Sequence, residues 1–176
     1  VIVVKAAADS LNKMYLEVMA ELEKGYLTRL PELHALSCCL KAISTDEIAQ
    51  SVQVCRLACG GHGYLNSAGF NDIYGSVVAA QHYEGENTIM LLQTARFLMK
   101  AWGQALKNQK LTPTVAYLKN YVDKGQTKEF WDGSVNGILR ALQSAASGKI
   151  ALAFKNVERR NKISSFEQAT NETSIE

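Results

Sequence analysis

The chain has 176 residues, 47% hydrophobic and 20% charged, which gives ample length and apolar content for a buried core and excludes the low-hydrophobicity, high-charge composition of disorder. Its 19 Lys and Arg against 17 Asp and Glu leave a net charge of +2, too weak a field to point to a phosphate backbone or an anionic lipid surface, so no nucleic acid is expected as a partner. No apolar run reaches the ~20 residues of a membrane span, and Val1 to Val4 lack the charged region and cleavage site of a secretion signal.

Apolar residues recur at the helical period through most of the chain, and Pro31 and Pro113 are its 2 prolines, so an all-α fold is expected. Leu11, Met14, Tyr15, Val18 and Leu22 form one stripe that stops before Gly25, which predicts a first helix over residues 3–24. A second helix begins near Pro31, a residue tolerated in a first turn, with Leu33, Leu36, Leu40 and Ile43 on one face. Ser44-Thr45-Asp46-Glu47 has the form of a capping box, so this helix either restarts there or continues as one rod to Cys59. Gly60, Gly61 and Gly63 then break it, and residues 66–71 read as a loop whose backbone can approach another group closely.

Leu91, Ala95, Leu98 and Trp102 predict an amphipathic helix over residues 87–105, led in by Tyr83-Glu84-Gly85-Glu86. Thr112-Pro113 reads as a cap and first turn for a short helix reaching about Val122, and Lys124 to Gln126 as a connection. Val135, Ile138, Leu139, Leu142 and Ala146 mark a last helix running to about Arg160, with Arg159, Arg160 and Lys162 as its solvated end. The chain starts inside an apolar run at Val1 and stops at Thr173-Ser174-Ile175-Glu176 without a cap, so a fragment of a longer protein is expected.

Several familiar chemistries fail on spacing. Cys38, Cys39, Cys55 and Cys59 contain no C-x-x-C pair and no completing His, so metal ligands are assigned to none; reduced thiols of an intracellular compartment are expected, with Cys55 and Cys59 one turn apart on a buried helix face. Gly61-His62-Gly63-Tyr64-Leu65-Asn66 lacks the third glycine of a dinucleotide fingerprint and follows a helix where a strand is required. His82-Tyr83-Glu84 lacks the P-C-x-x-C of a zinc deaminase, and no triad signature is visible. Glu84 and Glu86 at a helix start have an ordinary reading as partners of the positive dipole end, and a chemical one in which a carboxylate in an apolar cleft serves as general base.

Cys55-Arg56-Leu57-Ala58-Cys59-Gly60-Gly61-His62-Gly63-Tyr64, Tyr83-Glu84-Gly85-Glu86-Asn87-Thr88 and Leu92-Gln93-Thr94-Ala95-Arg96-Phe97-Leu98-Met99-Lys100 together resemble the peroxisomal acyl-CoA oxidases, and Leu30 to Leu36 fits the same family. The resemblance is dense over residues 26–100 and weaker in the last third. It implies the C-terminal helical bundle of the acyl-CoA dehydrogenase and oxidase superfamily, with residues 1–108 as part of the dehydrogenase-like core and 109–176 as the start of a second, oxidase-specific helical domain. It implies Glu84 as the base that removes the α-proton of a fatty acyl-CoA, Gly85 as backbone beside the thioester, and Gly60, Gly61, Glu86 and Asn87 as contacts of FAD. It further implies molecular oxygen as electron acceptor with release of hydrogen peroxide, trans-2-enoyl-CoA as product, a peroxisomal location, and a homodimer in which Gly60 and Gly61 meet the flavin of the neighbouring subunit. Leu57 departs from the glutamine of the dehydrogenases, which favours the oxidase branch. Two alternatives stay open: an acyl-CoA dehydrogenase, and a non-catalytic helical dimerisation module. The N-terminal helical and β-domains of the family are missing from these residues, so the fragment by itself is expected to be inactive.

Overall fold

In a computed structural model that describes residues 2–125 and 132–174, the long helices form where the apolar spacing predicts them: α1 over Ile2–Glu23 and α2 over Leu30–Ala58. Among the described residues there is no strand, so the all-α expectation holds, and no helix is long and apolar enough to cross a membrane. Val1, Gln126, Ile175 and Glu176, which carried parts of the chain-end and connection readings, lie outside the described residues. The chain divides into two compact units, Val1–Thr94 and Ala95–Glu176.

In the first unit, α1 ends as expected at Gly25, which takes φ 84°; its N–H bonds the Leu22 carbonyl at 2.9 Å while that of Tyr26 reaches Glu21 at 3.0 Å. α2 is one uninterrupted rod. The capping box does not act as one, because the Thr45 hydroxyl donates back to the Lys41 carbonyl at 2.9 Å and leaves the ladder running. α2 packs against α1 and α3 (Phe70–Ala79). α1 buries Val18 alone among its residues and is held also by charge: Arg29 reaches Glu17 at 3.2 Å, Glu21 at 3.3 Å and the fully buried Glu32 at 3.7 Å. The bond to Glu17, with help from Glu21, raises the Arg29 pKa further.

Between α2 and α3 the chain makes two 3₁₀ turns, Gly60–Tyr64 and Asn66–Ala68. Gly63 is buried here, and a Cβ on it would overlap the Arg56 carbonyl, so the close approach requires glycine. The loop expected over residues 66–71 ends earlier than that, since Phe70 and Asn71 already belong to α3. Cys55 and Cys59 are exposed, which overturns their placement on a buried face; the buried side of α2 is formed instead by Leu33, Ala35, Cys38, Ala42 and Ala49. Burial raises the thiol pKa of Cys38 and of Cys39.

The helix α4 (Asn87–Leu106) begins in the first unit and ends in the second. Ala101, Trp102 and Ala105 from it form the second unit's core with Val115, Leu118 and Ile150. The Trp102 and Tyr121 rings meet at 5.8 Å with a tilt of 59°. Thr112 makes no side-chain cap, and the short helix expected after it is a 3₁₀ turn, Pro113–Val115, followed by α5 (Tyr117–Lys124). The helix α6 (Val135–Asn161) starts where Ser134 accepts the Gly137 N–H at 2.9 Å. Its predicted core stripe is open: Val135, Ile138, Leu139 and Leu142 are all exposed, while Ser147 and Ile150 are buried. A final helix, α7 (Phe166–Thr173), was not expected, and it changes the reading of Arg160, which bonds the Thr173 hydroxyl at 3.0 Å and faces Glu172 at 3.8 Å instead of standing in solvent.

Candidate functional site

The Glu84 segment is built by the way α3 ends. Past Ala79 the backbone keeps winding: Gln81 and His82 N–H groups bond Val78 and Ala79 carbonyls at 3.0 Å, and Tyr83 bonds Ala79 at 3.2 Å. The chain then reverses at Glu84 and Gly85, both with positive φ, 57° and 102°. For Gly85 this is inexpensive, and a Cβ there would strike the Met90 side chain at 2.6 Å. For Glu84 the left-handed backbone costs roughly 1–2 kcal/mol, a strain that persists only where the surroundings fix it and that gathers at functional sites. The Glu84 side chain stands exposed next to exposed His82 and Tyr83.

What fixes the turn lies on α2. Lys41 Nζ donates to the Gln81 carbonyl at 3.3 Å, to Asn87 Oδ1 at 2.8 Å and to the Gly85 carbonyl. Asn87 in turn donates through its amide to Thr45 Oγ1 at 2.9 Å and to the Ala42 carbonyl at 3.2 Å, and its backbone N–H bonds Gln81 at 3.1 Å. Gln81 adds a bond to Asp46 at 3.1 Å. Lys41 was not singled out from the sequence, and Thr45 was read only as part of the capping box Ser44-Thr45-Asp46-Glu47. A mid-helix lysine reads as part of a solvated face, and no spacing rule links residue 41 to residues 81–87; the partial burial of Lys41 is the signal, and it appears only in three dimensions.

Glu86 caps α4: its carboxylate accepts from the Ile89 N–H at 3.1 Å and the Thr88 hydroxyl at 3.0 Å. These donors, the Thr88 and Ile89 backbone N–H groups foremost, hold its carboxyl below the usual range, so the helix-start reading applies to Glu86. The turn thus gathers Glu84, Gly85, Glu86 and Asn87. It does not gather Gly60 and Gly61, which sit beyond the far end of α2, about 25 Å of helical rise from Lys41. Apart from the chain neighbours, no heavy atom lies within 4 Å of where a Cβ on Gly60 or Gly61 would stand, so this side of their backbone faces open space. His62 beside them is exposed, and Arg56 of the preceding turn lies 5.3 Å from the Tyr74 ring.

Residues 1–99, more than half of the chain, match the family described as "Acyl-CoA oxidase, C-alpha1 domain". Acyl-coenzyme A oxidase 1 of Drosophila melanogaster is 48% identical over 161 residues, covering 92% of this chain and 24% of the relative. Peroxisomal acyl-coenzyme A oxidase 1 of Rattus norvegicus is 36% identical over 156 residues, covering 84% and 24%. Among solved structures, an acyl-CoA oxidase of Lycopersicon esculentum (tomato) superposes with a TM-score of 0.87 at 30% identity, covering 95% of this chain and 26% of that one. Acyl-CoA oxidase-1 of Caenorhabditis elegans, solved in complex with FAD and ATP, gives 0.85 at 29% identity, covering 96% and 26%. The chain therefore spans about a quarter of the length of these relatives, and over that span it belongs to the acyl-CoA oxidase family.

Proposed function

We propose that this chain carries the base of a FAD-dependent acyl-CoA oxidase, which converts fatty acyl-CoA to trans-2-enoyl-CoA while molecular oxygen is reduced to hydrogen peroxide, in peroxisomal β-oxidation. The observation that carries this reading is Glu84 itself: a carboxylate in a strained left-handed conformation, at a turn pinned from both sides by α2. The α-proton of a thioester is weakly acidic, so its removal needs a carboxylate held at a fixed place and angle. Glu84 takes that proton, and the Gly85 backbone lies beside the thioester.

FAD, when bound, supplies acceptance of the β-hydrogen as hydride. Gly60 and Gly61 would hold it through exposed backbone, and Glu86 and Asn87, at the start of α4, would meet it there. The helical rise between the glycine turn and the Glu84 turn supports a homodimer in which each subunit lends its glycines to the partner's flavin. Residues 109–176 would open a second helical domain specific to oxidases. Relatives in rat and mouse are named peroxisomal, and that supports the location.

The decisive experiment is Glu84→Gln in the full-length, flavin-loaded enzyme, followed by flavin bleaching on mixing with acyl-CoA. The expected result is a fall in reduction rate of about 10⁴-fold, at the upper end for loss of a general base. A rate near wild type removes Glu84 from the chemistry and leaves the assembly-module reading. Peroxide release by the wild type, against transfer of electrons only to an acceptor dye, separates oxidase from dehydrogenase.

A further inference from the structure

We infer that Lys41 is a positioning residue for the Glu84 turn, acting with Thr45 through three acceptors of residues 81–87; the inference rests on Glu84 being the base. An ammonium has three N–H donors and no acceptor, and all three have partners here: the Gln81 carbonyl, the Gly85 carbonyl and Asn87 Oδ1. These acceptors lie before Glu84, directly after it, and at the first residue of α4. One cation on a rigid helix therefore fixes both ends of the seven-residue stretch 81–87 around the carboxylate.

Thr45, one turn further along α2, orients the same site. Its hydroxyl lies 2.9 Å from Asn87 Nδ2 and 3.2 Å from Asn87 Oδ1, while the Ala42 carbonyl takes the other amide contact at 3.2 Å. The Asn87 side chain is thus fixed by α2 in the orientation that presents its oxygen to Lys41. The left-handed backbone at Glu84 is the kind of conformation that relaxes unless its flanks are over-determined, and the Lys41 contacts are what over-determine them. Nothing in the arrangement requires Lys41 to touch substrate. Its effect passes through the place and angle at which the carboxylate meets the α-carbon, where a displacement of about 1 Å costs on the order of 100-fold in rate. A planar guanidinium cannot address three acceptors converging on one point, so arginine is a poor replacement.

The test is carried out on the full-length, flavin-loaded enzyme with Lys41→Met, Lys41→Arg, Thr45→Val and Glu84→Gln side by side. Stopped-flow flavin reduction is measured with ordinary and α-deuterated acyl-CoA, alongside KM and flavin content. For Lys41→Met the expectation is a reduction rate lower by about 100-fold, KM within about twofold of wild type, full flavin content, and a larger α-deuterium isotope effect as proton removal becomes more rate-limiting. Lys41→Arg should not restore the rate, and Thr45→Val should lower it by about 10-fold. A Lys41→Met enzyme that holds flavin and reduces it at the wild-type rate overturns the inference. If Lys41→Met yields no flavin-loaded enzyme, Thr45→Val decides alone, an unchanged rate and isotope effect counting against the proposal. Should Glu84→Gln retain activity, the reading of the base fails; should only the α2 variants be silent, the base stands and the positioning role falls.

Discussion

At Glu84 two requirements pull in opposite directions. A side chain other than glycine pays in backbone energy for φ 57°, so Glu84→Gly should raise the stability of the full-length enzyme by roughly 1 kcal/mol, seen as a higher thermal midpoint, while flavin reduction by acyl-CoA is lost. A midpoint lowered by the change would mean that the turn is not strained at that residue. The role proposed for Glu84 came only through resemblance, because by composition it and Glu86 looked alike at one helix start. The structure separates them physically: Glu86 is engaged by the α4 N–H groups, whereas Glu84 stands on the reversal ahead of the helix. Lys41 was not legible at all, since its partners lie forty and more positions away in the chain.

Among the elements, long amphipathic helices were readable because many turns repeat one pattern. α3 was not, since Asn66, Gly69 and Asn71 supply turn signals around a helix of only 10 residues. α7 is polar along most of its length and offers no stripe, although Ser165 followed three residues later by Gln168 is a capping signature that could have revealed it. The start of α6 depends on Asp132, whose carboxylate accepts from the Ser134 hydroxyl at 2.7 Å, the Ser134 N–H at 2.9 Å and Arg140 at 2.6 Å. Those bonds, the Ser134 hydroxyl foremost, hold its carboxyl well below the ordinary carboxylate range. A depressed folded-state pKa means the contribution is complete above the unfolded value of about 4 and fades as the pH falls below it. Asp132→Ala should therefore lower stability at neutral pH, and the gap from wild type in chemical denaturation should shrink progressively on acidification below about pH 4. A gap independent of pH would show that the Asp132 charge contributes nothing.

For the molecule as a whole, the misread stripe of α6 is informative, because the period was right and the burial wrong. Val135 is 81% exposed and Leu142 63%, and Leu152, further along the same helix, is 61% exposed. Periodicity reports that a face is apolar and is silent on what covers it. The 176-residue chain produced alone should accordingly bind a hydrophobic dye and associate with rising concentration, with Leu142→Lys reducing both; a dye-silent monomer would contradict the exposure described. Arg29 carries a different consequence for the same chain. Besides the buried Val18 and the half-buried Leu11, Met14 and Leu22, α1 is tied down by a guanidinium shared among Glu17, Glu21 and Glu32, so part of its attachment is ionic, and the partly exposed pairs weaken as added salt shortens the Debye length. Rising ionic strength thus works selectively, loosening the hold of the leading helix on its neighbour while the apolar interior around Leu118 is left intact.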